Sequence, residues 1–178
     1  SHAHYNDEKF DADRQEILKQ IYNSHVKKVI CAGYSVESSK KAVQIAKTED
    51  FVYAIVGISP NDIPQCHHAK EEKQESRIFE NQLQEQLQQI ETLAKQEKVV
   101  AIGEIGLDYY WNKENKENQK ITFQKQIKLA NKLGLPIVIH TREAIYDTLE
   151  ILKGEEKLVK KRNFPLLSTK FRLNKRRP

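Results

Sequence analysis

The chain contains only two cysteines, Cys31 and Cys66. That excludes a disulfide framework and a C-x-x-C metal knuckle, leaving reduced thiols as the simplest reading. No apolar run approaches the roughly 20 residues of a membrane-spanning helix, so no membrane partner is expected. Glycine is scarce, at six residues, and no apolar run is followed by the Gly-rich turn that holds a dinucleotide or a nucleotide phosphate. The sequence opens on polar residues, among them His2, His4, Asn6, Asp7 and Glu8. No secretory leader is therefore expected, and the expected compartment is the cytoplasm, or the nucleus in a eukaryote. Internal repeats and low-complexity linkers are absent.

What is present, 38% hydrophobic and 31% charged residues over 178 positions, suits one soluble domain with a substantial core. The net charge of +5 is spread unevenly. From Lys153 onward ten basic residues face only Glu155 and Glu156, a net of +8, which leaves −3 for residues 1–152. The basicity thus belongs to the C-terminal segment. Such a run either attracts polyanions in a salt-dependent way or is simply solvated.

Short apolar runs alternate with longer amphipathic ones. The spacing predicts strands at 26–34, 51–58, 98–105 and 135–140, with helices at 11–24, from Ser35 through Ala46, and at 71–96, 119–133 and 142–153. Ser35 is a natural N-cap and Gly134 a natural C-terminal stop, while Tyr109, Tyr110 and Trp111 fall in a polar loop. Continuously apolar strands separated by helices imply a parallel sheet covered on both faces. A doubly wound sheet and a (β/α)8 barrel both satisfy that pattern. Ligand-type residues at strand ends favour the barrel, whose active sites gather at the C-terminal ends of its strands. After Lys161 the pattern degrades. An α/β protein of TIM-barrel type is therefore expected with about five of the eight β/α units, as a domain over residues 1–161 and a basic tail over 162–178 without a confident strand.

Three segments could carry chemistry. His2 and His4 are two apart in an extended segment, so both imidazoles can face one ion. Glu104 ends an apolar run between Gly103 and Gly106, small residues that let a carboxylate approach an ion closely. His140 follows the apolar run Pro136-Ile137-Val138-Ile139. Each has a bland alternative: surface histidines, an internally paired carboxylate, a satisfied core imidazole. The agreement of three strand ends favours a divalent-metal hydrolase site.

Four motifs then resemble one family in order and spacing: Ser1-His2-Ala3-His4, Gly57-Ile58-Ser59-Pro60, the run from Gly103 through Asp108 to Trp111, and Ile139-His140-Thr141-Arg142-Glu143-Ala144. The chain resembles the TatD-type metal-dependent deoxyribonucleases over residues 1–161, most specifically at GEIGLDYYW. The resemblance implies a (β/α)8 barrel with two divalent metal ions, Mg²⁺ or Mn²⁺ or alternatively Zn²⁺, hydrolysing phosphodiester bonds in DNA. It assigns His2 and His4 to the first metal, Glu104 to both and His140 to the second. Asp108 and Arg142 fall at motif positions beside the site, where an arginine can pair with a substrate phosphate.

The sequence departs from the family as well. The motif histidine next to Pro60 is Ser59, and the family's histidine on strand six and aspartate on strand eight have no counterpart here. His67 and His68 lie in the wrong context to replace them. Incomplete ligation and impaired activity are therefore expected alternatives, as is a non-nuclease amidohydrolase-type enzyme using the same cradle.

Overall fold

Parallel pairing begins at the second residue and passes from strand to strand without a skip. The computed structural model describes residues 2–64, 72–111, 113–155 and 167–168. Cys66, His67, His68 and most of the 162–178 segment lie outside these residues. The strands are β1 (His2–Ala3), β2 (Val29–Ala32), β3 (Val52–Val56), β4 (Val99–Asp108), β5 (Ile137–Arg142) and β6 (Leu167–Ser168). They alternate with α1 (Arg14–Asn23), α2 (Val36–Thr48), α3 (Glu72–Ala94), α4 (Lys116–Leu133) and α5 (Ile145–Gly154). The sheet order is the sequence order, β1-β2-β3-β4-β5-β6, and every pair is parallel. A doubly wound sheet would reverse direction partway along. Strict succession instead makes an arc of a barrel wall.

Two cores flank that wall. On the helical side Leu18, Val43, Phe79, Leu83, Ile90, Phe123 and Ile127 belong to one buried cluster that joins the helices to the strands. On the other side Ala32, Ile55, Ala101 and Val138, one residue from each of β2 to β5, form a smaller separate cluster. This matches the layered interior of a barrel. Helix α2 is capped as its sequence requires: Ser35 Oγ accepts from Ser38 N (3.1 Å) and Ser38 Oγ accepts from Ser35 N (2.9 Å). Gly134 ends α4 in the left-handed conformation, at φ 70°. Cys31 is buried, and desolvation pushes its thiol up to about 11.

The structure departs from the sequence reading at β4 and β5. Strand β4 runs past Ile105 to Asp108 because its last four residues pair with Ile139 to Arg142. Gly106 makes this possible: its φ is +143°, and a Cβ there would collide with the His140 carbonyl. The same pairing carries β5 through Arg142, so α5 begins three residues later than the spacing predicts. Tyr109 is buried rather than part of a polar loop. A sixth strand, too short and mixed to be read from sequence, pairs Leu167 and Ser168 with Val138 and Ile139.

Helix α4 does more than cover the sheet. Gln119 and Gln126, seven residues apart and so on one helix face, are both fully buried. Each clamps the backbone of a single strand-end residue. Gln126 accepts from Ile58 N at 2.8 Å and donates to Ile58 O at 2.9 Å. Gln119 accepts from Asp108 N at 2.9 Å and donates to Asp108 O at 3.1 Å. Gln119→Leu keeps the volume but strips both partners from a buried peptide group, at about 1–3 kcal/mol for each unsatisfied group. A stability loss on the order of 2–4 kcal/mol is expected in denaturant unfolding. A loss under about 0.5 kcal/mol, the level of a surface change, would show the clamp to be dispensable.

Candidate functional site

The site is assembled where β1, β4 and β5 end, and a bulge in β4 aims its central carboxylate. Between Ile102 and Ile105 the pairing with β5 takes up one extra residue on β4: Ile102 pairs with Ile137, and Ile105 with Ile139. The peptide joining Gly103 to Glu104 is cis. Freed from the β5 ladder, Glu104 N donates to Gly33 O just beyond β2, at 3.0 Å. A bulge re-aims a side chain in this way, and Glu104 is carried into the interior with only 8% of its surface exposed.

Two imidazoles flank this carboxylate. His4 Nδ1 lies 3.0 Å from Ala32 O, an atom that can only accept, so Nδ1 carries a proton and donates it there. His4 Nε2 stands 3.4 Å from Glu104 Oε2. Asn6, fully buried, donates to the same Ala32 carbonyl and to Ser38 O, both at 3.0 Å, and so fixes the segment that carries His4. From β5, His140 Nε2 donates to Asp108 Oδ2 at 2.9 Å, leaving Nδ1 facing Glu104 Oε1 at 3.9 Å. At that distance Glu104 acts on His140 through its charge. Each imidazole thus sets its outer nitrogen on a hydrogen-bond partner and turns its inner nitrogen towards one carboxylate. Such outer hydrogen bonds orient the imidazoles of metal sites.

Asp108 is almost wholly buried, at 1% exposed, and every polar handle it has is used. Oδ2 accepts from His140 and from Asn61 Nδ2 (3.3 Å). Oδ1 accepts from the backbone N–H groups of Tyr110 (3.0 Å) and Trp111 (3.1 Å). Its own backbone is held by Gln119. Burial alone would raise the Asp108 carboxyl, but these donors outweigh it and hold it below the usual aspartate value. Burial likewise pushes His140 towards its neutral form, and Glu104 and Asp108 overcome it, so its pKa lies above the ordinary histidine value. The site attracts positive charge.

Of the residues singled out in the sequence, His4, Glu104, Asp108 and His140 come together. His2 is paired through its backbone with Ile30, beside the same strand ends; its side chain lies outside what the structure describes. Arg142 does not join the cluster. Its guanidinium lies on the Tyr110 ring, with Cζ 3.8 Å from the centroid, and 5.2 Å from that of Trp111. Ser59 donates to Asp62 and keeps the loop after β3 folded, and from that loop Asn61 reaches Asp108. Asn61, Asn6 and Gln119 escaped the sequence reading.

Among the described residues no three His, Cys, Asp or Glu side chains are closed around one point. The chemistry of the donor set nevertheless fits a divalent cation. Two imidazole nitrogens and a carboxylate face one another, donor types that a divalent cation among them would draw together.

Residues 1–163 match the family described as TatD related DNase. Over 155 residues the chain is 36% identical to an uncharacterized metal-dependent hydrolase, YabD, of Bacillus subtilis, covering 87% of this chain and 54% of that protein. It is 30% identical over 135 residues to a protein of Salmonella typhimurium named 3'-5' ssDNA/RNA exonuclease TatD, covering 76% of this chain and 46% of the relative. The fold is similar to that of the crystal structure of YjjV, a TatD homologue of Escherichia coli, with a TM-score of 0.69 and 26% identity over 88% of this chain and 55% of that one. The chain spans about half the length of the relatives it matches. No helix among the described residues is long and apolar enough to cross a membrane.

Beside the site, Tyr109 Oη donates to Asp147 Oδ2 at 2.7 Å and ties the end of β4 to the first turn of α5. This bond, followed by Lys120, holds the Asp147 carboxyl below its usual value. A depressed carboxyl stabilises the fold above its unfolded-state pKa, and the contribution is lost as pH falls through the folded value. Tyr109→Phe should therefore destabilise the protein most near neutrality, with the gap to wild type closing as the solution is acidified below about pH 4. Thermal unfolding across pH reads this directly, and a gap that widens in acid would contradict it.

Proposed function

The chain belongs to the TatD related DNase family, and on that premise we propose that it contributes a metal-dependent hydrolase site acting on the phosphodiester bonds of DNA. The observation that carries this reading is the convergence of His4 Nε2, His140 Nδ1 and the Glu104 carboxylate from three strand ends. The relatives' names support it, one a metal-dependent hydrolase and one an exonuclease on single-stranded DNA and RNA.

In this proposal His2 and His4 hold the first of two divalent cations, Glu104 contacts both and His140 holds the second. Such a pair, when bound, supplies an activated water and stabilises the attacking and leaving oxygens of a phosphodiester. Mg²⁺ or Mn²⁺ suits the carboxylate, and Zn²⁺ the imidazoles. The protein's own contribution is positional. Ala32 O keeps the proton on His4 Nδ1, and Asp108 keeps it on His140 Nε2, so that both inner nitrogens stay available as donors. Glu104, rooted in the bulge and shielded from water, offers both oxygens from a fixed place. Arg142, with five donors in a planar fork, is placed at the rim to take a phosphate of the substrate.

The test is hydrolysis of an oligodeoxynucleotide by the purified chain with and without added divalent ions. Cleavage should vanish under chelator, return with Mn²⁺ or Mg²⁺, and fall at least about 100-fold in Glu104→Ala, beyond the 10–100-fold typical of losing an outer partner. Cleavage that survives chelation or the substitution would overturn the proposal. Metal binding without cleavage would leave the impaired cradle as the better reading.

A further inference from the structure

Trp111 is the only tryptophan of the chain, and it stands 68% exposed beside the most tightly tied carboxylate of the site. Tyr110 is also exposed, and the two rings meet edge to face with centroids 4.8 Å apart. The Arg142 guanidinium lies over the Tyr110 ring. The segment that presents the pair is anchored, because both backbone N–H groups donate to Asp108 Oδ1 while Asp108 Oδ2 accepts from His140. Two rings are thus displayed to solvent, with a half-buried cation against them, on the segment that directly follows Asp108. A core role is excluded for Trp111 by its exposure, and tethering to Asp108 fixes where it stands.

We infer that Tyr110, Trp111 and Arg142 form a nucleobase-stacking subsite for an unpaired strand, with Trp111 taking the base and Arg142 the adjoining phosphate. An aromatic face stacks on any base, which gives affinity without sequence readout. A base within a duplex is already stacked and offers its face only at an end, so such a platform selects single strands. The guanidinium on Tyr110 adds a donor fork for the backbone next to the stacked base. This inference rests on the proposed nucleic-acid substrate and narrows it to unpaired bases read at the rim.

The sole tryptophan provides the readout. A short single-stranded oligodeoxynucleotide is titrated into the full chain while Trp111 fluorescence is followed. The titration is repeated with an abasic oligonucleotide of the same length and with a blunt duplex. Anisotropy of a labelled oligonucleotide gives affinity for Trp111→Ala and Trp111→Phe. Saturable quenching by the single strand is expected, with the abasic strand, the duplex and Trp111→Ala each about tenfold weaker or more and Trp111→Phe retaining most of the affinity. Equal binding of abasic and normal strands, absence of quenching, or unchanged affinity in Trp111→Ala would overturn the subsite. The two readings fail separately. Quenching without any metal-dependent cleavage removes the hydrolase and leaves the platform, whereas cleavage with unchanged KM in Trp111→Ala removes the platform and leaves the hydrolase.

Discussion

One carboxylate, that of Asp108, holds the functional end of this protein together. It is buried, so its charge is tolerable only if each oxygen is hydrogen-bonded. The fold supplies four donors from three segments: an imidazole from β5, an amide from the loop after β3 and two N–H groups from the residues that follow β4. A glutamine of α4 secures its peptide group. Loss of the charge would release the tautomer of His140, the Tyr110–Trp111 segment and the β3 loop at the same time. Buried networks of this kind are consequential because a partly satisfied one costs more than an apolar core.

Glu104 depends on a different device. Its position comes from a β4 bulge, which lifts it out of the β5 ladder and bonds its N–H to Gly33 beyond β2. The carboxylate then meets the inner nitrogens of two imidazoles. The field that lifts the pKa of His140 comes from the negative density of Glu104 and Asp108 gathered beside it. A cation among them resolves that density, and the outer hydrogen bonds of both histidines prepare for it.

Much of this was legible in the sequence, and the limits are instructive. Continuous apolar runs with helical spacing between them gave the parallel β/α order, because burial on both faces leaves no polar alternation. Ser35 and Gly134 marked helix ends through local chemistry alone. Strand-end histidines and Glu104 were legible because such residues are rare at the end of apolar runs. The extension of β4 to Asp108 was not, since it depends on Gly106 resting against the His140 carbonyl, a contact between segments over 30 residues apart. For the same reason the partners of Asp108 were hidden: Asn61 and Gln119 are ordinary polar residues until the fold delivers them. Arg142 was expected beside the site from its motif position, whereas its stacking on Tyr110 belongs to three dimensions. The two-residue β6 lies in a stretch too short and mixed for periodicity to act.

The most direct measurement is anomalous diffraction from crystals soaked in Mn²⁺. The account predicts density within bonding reach of the Glu104 carboxylate, at about 2.0–2.3 Å from its ligating atoms, with His4 Nε2 and His140 Nδ1 turned towards it. Mn²⁺ bound only elsewhere, or an imidazole still closed onto Glu104 at saturating metal, would contradict it.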